Sequence, residues 1–142
     1  MYKNKKISHK IKREVGFASQ ENSFYPRLNV EENLWFFGRL YNIPPKEIKK
    51  RVSNLLELMK LEGANKTLAK NLSGGMKRRL DLAISLIHDP SIVILDEPTT
   101  GLDIILNENI WELILKINNL GKTIIISSHN LTEIEKHCTA IA

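Results

Sequence analysis

Two short stretches hold residue types and spacings that could do phosphate chemistry. The first is Ile92-Val93-Ile94-Leu95-Asp96-Glu97-Pro98, an apolar run that ends in two adjacent carboxylates. A run of this kind, bounded by turn residues, reads as a strand buried on both faces of a parallel sheet. Ligands of such sheets bind beyond the carboxyl ends of the strands. There, one carboxylate can hold Mg²⁺ directly or through water. Its neighbour, pointing elsewhere, can polarise a water for attack on a phosphoryl group. The bland alternative is an exposed acidic turn.

The second stretch is Leu72-Ser73-Gly74-Gly75-Met76, which stands just before a helical pattern. Ser73 can cap that helix and still offer its hydroxyl, and the two glycines let backbone N–H groups come close to an anion. The helix N-terminus adds partial positive charge. Lys77, Arg78 and Arg79 crowd the same first turn against the helix dipole, which is unusual for a purely structural helix. The bland alternative is an ordinary loop-to-helix turn.

The elements that must position these residues alternate. The stretch from Ile11 ends in the apolar run Val15-Gly16-Phe17-Ala18 and reads as a short strand. Asn29 with Glu32 forms a capping box, opening a helix whose apolar side is Leu34, Phe36, Phe37 and Leu40. Pro44-Pro45 opens a second helix with Ile48, Val52, Leu55, Leu56 and Met59 on one face, closed by Gly63. A third helix runs from near Gly74 to about His88 and ends before Pro90. After the Ile92 strand, a helix from about Leu106 to Asn119 turns Ile110, Leu113, Ile114 and Ile117 inward and stops at Gly121. Thr123 to Ser128 is another apolar strand, and Leu131 to about His137 a last helix, beyond which the chain reads as entering a further strand. Strands alternating with amphipathic helices predict an α/β core, and three successive helices without strands predict a helical subdomain inserted into it.

At this point the sequence resembles the ATP-binding cassette of ABC transporters. Leu72 to Met76 resembles the signature motif, and Ile92 to Pro98 the Walker B strand with its catalytic glutamate. Gln20, after an apolar strand, resembles the Q-loop glutamine. Gly101-Leu102-Asp103 resembles the D-loop, and His129, after Ile124 to Ser128, the switch histidine. These five motifs stand in family order over nearly the whole chain. Phe24 to Leu34, with Met76 in place of the more usual glutamine, looks most like the ABC-2 multidrug exporter group.

The resemblance implies a fold: α/β, a partial P-loop NTPase (RecA-like) core with parallel strands plus an inserted α-helical subdomain. It makes 1–142 one partial ATP-binding domain, with about 21–90 as the helical subdomain and about 91–142 as the core part. It also implies roles. Gln20 would sense Mg²⁺ and the attacking water and link the site to a transmembrane partner. Ser73, Gly74 and Gly75 would contact the γ-phosphate of ATP held by the opposite subunit. Asp96 would serve Mg²⁺, Glu97 would be the general base, Asp103 would communicate between two sites, and His129 would contact the γ-phosphate. The implied cofactors are ATP and Mg²⁺, and the implied partners are a transmembrane permease and a second cassette in a head-to-tail dimer. Ile104, Asn107, Thr139 and Ala140 depart from the family pattern, and none of these changes removes a catalytic group.

A phosphate-binding loop needs G-x-x-x-x-G-K-[ST] between a strand and a helix. Gly121-Lys122-Thr123 has the right ending, but Lys116 stands where the first glycine should be and the stretch precedes a strand. In the family this loop lies upstream of the Q-loop, where Gln20 leaves it no room, so the chain reads as a central piece of the domain that presents half of a composite site. Exposed apolar surface and a tendency to associate are expected of such a piece.

The bulk properties agree. The 142 residues are 42% hydrophobic and 26% charged, as in an ordinary soluble domain. The formal charge of +5 comes largely from Lys3, Lys5, Lys6, Lys10, Lys12 and Arg13. That run lacks the interleaved aromatics of a nucleic-acid surface and reads as a solvated face. Cys138 is the only cysteine, so no intramolecular disulfide forms. No segment of about 20 apolar residues is present to span a bilayer. The chain is placed in the cytoplasm, peripheral on the cytoplasmic face of the cell membrane through a permease partner. His9, His88, His137, Trp35 and Trp111 read as structural. The alternatives are a non-transport ABC ATPase acting on nucleic acid or ribosomes, and an inactive remnant.

Overall fold

The computed structural model describes residues 11–141. Three strands form one parallel sheet in the order β1 (Val15–Ala18), β2 (Ile92–Asp96), β3 (Thr123–Ser127). Residues 11–14 are helical, so β1 takes only the apolar run. The register pairs Ala18 with Leu95, Leu95 with Ile126, and Asp96 with Ser127, so all three strands end at one edge.

Helices α1 (Val30–Leu40), α2 (Pro45–Met59) and α3 (Gly74–Leu86) lie between β1 and β2; α4 (Ile104–Asn119) joins β2 to β3, and α5 (Leu131–His137) follows β3. The capping box of α1 forms as the spacing dictates, with Asn29 Oδ1 accepting from Glu32 N–H and Glu32 Oε2 from Asn29 N–H, each at 2.8 Å. The inward face of α2 is the predicted set, Ile48, Val52, Leu55, Leu56 and Met59. That helix stops at Lys60, which takes up the left-handed conformation (φ 54°), and not at Gly63, which falls in a 3-10 turn. The third helix ends at Leu86, two residues short of His88.

The inward face of α1 differs from expectation. Val30, Asn33, Leu34 and Gly38 are buried, Phe36 and Phe37 are half-buried, and Leu40 is 59% exposed. Phe36 and Phe37 instead form an edge-to-face cluster with Tyr25, with centroids of Tyr25 and Phe36 4.7 Å apart. The helical period places positions 30, 34 and 38 on one side, and the buried Asn33 satisfies itself by accepting from Tyr25 N–H and donating to Asn29 O.

The sheet also departs from the prediction of two buried faces. Val93 and Leu95 are buried, on a sheet where α3 packs against β1 and α4 against β3, whereas Ile92 and Ile94 are only partly covered. Phe17 is 53% and Ile125 51% exposed on that other face, which no described helix covers. The covered face is tightly built. A Cβ at Gly16 would lie 2.2 Å from the Ser85 carbonyl oxygen, so glycine there sets how closely α3 approaches β1. The core continues through Trp111, Ile110, Ile114 and Ile117 of α4.

Candidate functional site

The three strands deliver their following residues to one place, the carboxyl edge of the sheet. Gln20 follows β1, Asp96 and Glu97 end and follow β2, and His129 follows β3. Backbone pairing of the strands aligns the starts of these three loops.

Glu97 has φ of 48°, in the left-handed region that a non-glycine residue occupies only when its surroundings hold it there. This turn sends its side chain toward the loop after β3. Oε1 accepts from His129 N–H at 3.1 Å and lies 2.9 Å from His129 Nδ1, and Oε2 accepts from Thr100 Oγ1 at 2.7 Å. The hydrogen bonds from His129, then from Thr100, hold the Glu97 carboxyl below the usual range, so it is ionised at neutral pH. Both Oε1 acceptor directions are used and one on Oε2 remains. Asp96 faces a different neighbour: Ser127 Oγ donates to its Oδ1 at 2.5 Å.

A hollow of about 210 Å³ opens here, lined by Glu97, Thr99, Gly101, Ser128, His129 and Glu133 among others. A larger one of about 320 Å³ lies at the amino ends of the strands, among Lys50, Arg51, Asp89 and Lys122. Size favours the second, but chemistry favours the first, because parallel sheets bind ligands at their carboxyl ends. In the second region Lys122 pairs with Asp89 and Gly121 (φ 87°) makes the turn into β3, so the Gly121-Lys122-Thr123 stretch is a structural turn.

Ser73 caps α3, its Oγ accepting from Met76 N–H at 3.3 Å. Gly74 would meet nothing within 4 Å if it carried a Cβ, so no packing within the described chain explains glycine there. Gly75 faces the Leu106 side chain, 3.0 Å from where a Cβ would stand. Asp103 caps α4 by accepting from Leu106 N–H at 3.0 Å. The signature stretch and the Gly101-Leu102-Asp103 stretch are therefore neighbours. Ser73, Gly74 and Gly75 make no hydrogen bond to Gln20, Asp96, Glu97 or His129 among the described residues.

Of the basic residues in the first turn of α3, two turn inward. Arg78 is 8% exposed and donates to the carbonyls of Pro98, Ser19, Glu97 and Asp96. Arg79 donates to Met59 O at 3.3 Å. Burial and backbone partners thus account for two of the three residues whose crowding against the helix dipole looks unusual in the sequence.

Several participating residues lay outside the sequence reading. Asp81 is 1% exposed, and its Oδ1 accepts from Ser23 N–H at 2.8 Å in the loop after Gln20. Burial pushes its carboxyl up to about 6, against the pull of the Ser23 bond and Arg78. Glu133 accepts from Thr99 Oγ1 (2.8 Å), Asn107 Nδ2 (2.7 Å), Trp111 Nε1 (2.9 Å) and Asn130 Nδ2 (2.7 Å). It thereby ties the loop of His129 to α4 and to the loop after Glu97. A glutamate four residues after His129 on a helix was the available signal. The structural readings of other residues hold: His88 stacks on Tyr41, His137 stacks on the buried Trp111, and Trp35 packs against the core. His9 and most of the basic run lie outside the described residues.

The ABC transporter family model matches residues 2–100. The chain is 41% identical over 131 residues to Nod factor export ATP-binding protein I of Ralstonia nicotianae, covering 92% of this chain and 41% of that protein. It is 38% identical over 136 residues to linearmycin resistance ATP-binding protein LnrL of Bacillus subtilis, covering 96% of this chain and 44% of that one. Among solved structures, cbiO1 of Clostridium perfringens, part of the ABC transporter complex cbiONQ, superposes with a TM-score of 0.87 at 31% identity, over 95% of this chain and 55% of that chain. The chain thus spans less than half the length of these two curated relatives. Its parallel strands and helices are part of the P-loop NTPase α/β fold that cbiO1 has, and the chain belongs to the ABC transporter family.

Proposed function

We propose that this chain supplies one half of a composite ATP site in the cassette pair of an ABC transporter of exporter type, coupling ATP hydrolysis to transmembrane transport. The observation that carries this is the convergence of Gln20, Asp96, Glu97 and His129 on one edge of a parallel sheet, beside a glycine pair that opens a helix. The relatives named for export of Nod factor and for linearmycin resistance support the exporter reading.

Glu97 is the general base. It is ionised and retains a free acceptor direction on Oε2, which suits it to take a proton from water. His129 both orients Glu97 and offers Nε2 to the γ-phosphate. Asp96 and Gln20 serve Mg²⁺. No group of His, Cys, Asp and Glu that could hold a metal by itself occurs among the described residues. That fits Mg²⁺, which binds through one or two carboxylates, water and substrate phosphates. When bound, Mg²⁺ neutralises charge on the phosphate oxygens. Ser73, Gly74 and Gly75 face the ATP of the second cassette, and Asp103 lies between the two sites.

The division into a helical part (about 21–90) and a core part (about 91–142) belongs to this reading. Ile104, Ile105 and Leu131 are 81%, 73% and 70% exposed. They begin the helices that follow the Asp103 and His129 loops, and they support burial there by the second cassette in a head-to-tail pair. The Tyr25, Phe36 and Phe37 cluster, close after Gln20, supports contact with a permease. No described helix is long and apolar enough to cross a membrane. A place on the cytoplasmic face would therefore come through that partner.

The test is ATP-dependent pairing, followed by sedimentation, of this chain with a cassette that has a complete phosphate loop. Gly74→Asp puts a carboxylate into space that is open in this chain. It is expected to abolish pairing while leaving the circular-dichroism melting curve unchanged. Pairing that is indifferent to both ATP and Gly74→Asp would sink the proposal.

A further inference from the structure

Among the described residues Arg78 has no carboxylate partner within ion-pair distance, yet it is buried. Its guanidinium is spent on backbone: Nε donates to Pro98 O at 2.7 Å, Nη1 to Ser19 O at 2.8 Å, and Nη2 to Glu97 O at 2.5 Å, with Asp96 O at 3.4 Å. These carbonyls belong to two loops far apart in sequence, one leading directly into Gln20 and the other carrying Asp96 and Glu97. A planar fork of five donors can meet such a spread of acceptors, whereas an ammonium is a single point charge.

The second observation is the backbone of Glu97. Its left-handed φ of 48° disfavours a residue with a Cβ. The conformation is held from both sides, by Ser127 O accepting from its N–H at 3.1 Å and by Arg78 on its carbonyl. The left-handed turn is what sends the carboxylate to His129. One turn further along α3, Asp81 holds the Ser23 N–H, so the same helix grips the Gln20 loop at both ends.

We propose that Arg78 is a positioning residue, a clamp by which the helix that begins at Ser73 fixes the backbone of both Glu97 and the Gln20 loop. The stretch that faces the second cassette's ATP is then rigidly linked to the residues that work on this chain's own side, so a shift of α3 moves both loops together. The inference rests on the roles proposed above for Gln20, Glu97 and Ser73.

The experiment is residue-resolved amide hydrogen exchange on the 142-residue chain without nucleotide, comparing wild type with Arg78→Lys, Arg78→Ala and Arg79→Ala. In Arg78→Ala the amides of Glu97, Thr100 and Ser23 are expected to exchange about tenfold faster or more, while Leu61, bonded to Leu56 O, is unchanged. Arg78→Lys should rescue part of this protection, and Arg79→Ala, whose arginine holds Met59 O, should leave these amides as in wild type. Wild-type exchange at Glu97 and Ser23 in a folded Arg78→Ala overturns the clamp. So does uniform acceleration that includes Leu61, with lysine no better than alanine. Should Arg78→Ala fail to fold, Arg78→Lys decides: localised acceleration at these amides supports the clamp, and its absence overturns it. Because no nucleotide is present, a chain that passes this test yet shows no ATP-dependent pairing refutes the functional reading and leaves the clamp standing.

Discussion

Two carboxylates organise the site from opposite sides, and their surroundings shift them in opposite directions. Asp81 of α3 is buried with one backbone donor on Oδ1 and no partner on Oδ2, so desolvation wins and its carboxyl rises to about 6. Glu133 of α5 is also penalised by burial, but Trp111, Asn107, Thr99 and Asn130 donate to it, and together they hold it below the usual range. Neither has a salt-bridge partner among the described residues. Burial raises both carboxyls, and only Glu133 has enough donors to outweigh it, so the two shift in opposite directions.

The largest effect is expected at the Glu133 side. Trp111 is 2% exposed and is both packing and donor. Trp111→Ala should cost about 4 kcal/mol of unfolding free energy in a urea titration, while Trp111→Phe, which loses the donor and keeps most of the packing, should cost about 1 kcal/mol. If Trp111→Phe costs nothing, the donor count does not explain this region.

Asp81 comes next, and its sign is opposite to that of a paired acid. Its folded value, about 6, lies above the ordinary 3.8. The protonated carboxyl therefore contributes stability that is fully present below 3.8 and lost as pH rises through about 6. The size is about 3 kcal/mol across that window. Melting temperature measured from pH 4 to 7 should lose this component in Asp81→Asn. An unchanged profile would mean that Asp81 is already ionised at pH 5.

For Glu133 the folded value is depressed, so its contribution is present above the ordinary 4.5 and lost as pH falls below it. Glu133→Gln keeps the shape but sets an NH₂ against side-chain donors, and should cost about 1–2 kcal/mol at pH 7. The smallest effect is at Gly74, where open space lets alanine in with a change within about 0.5 kcal/mol. A large loss there would show that glycine serves the fold and not an approaching ligand.

Sequence carried the local features of this molecule well. The Asn29–Glu32 capping box, the five-residue face of α2, and the strand that ends in Asp96 follow from spacing alone. The residues at the strand ends were also legible, because each follows an apolar run. What spacing could not reveal depends on what lies opposite. In the sequence Arg78 is one of three basic residues crowding a helix's first turn, and only the carbonyls of two distant loops explain why it turns inward. Asp81 and Glu133 gave no sign of their opposite shifts, since their donors come from residues 22 to 58 positions away, Asn130 alone being a near neighbour. The strand Ile92–Leu95 reads as doubly buried, yet one face of the sheet is open. Apolar side chains announce that a face can be covered, not what covers it.

The proposal that this chain supplies half of an ATP site, completed by a second cassette, makes a direct prediction for the chain alone. The most direct measurement is isothermal titration of the purified 142-residue chain with MgATP. No binding in the micromolar range by the chain alone is expected, because no G-x-x-x-x-G-K-[ST] occurs in its sequence. Micromolar affinity of the lone chain would contradict it, because Gln20, Asp96, Glu97 and His129 would then have to cradle the phosphates without a partner.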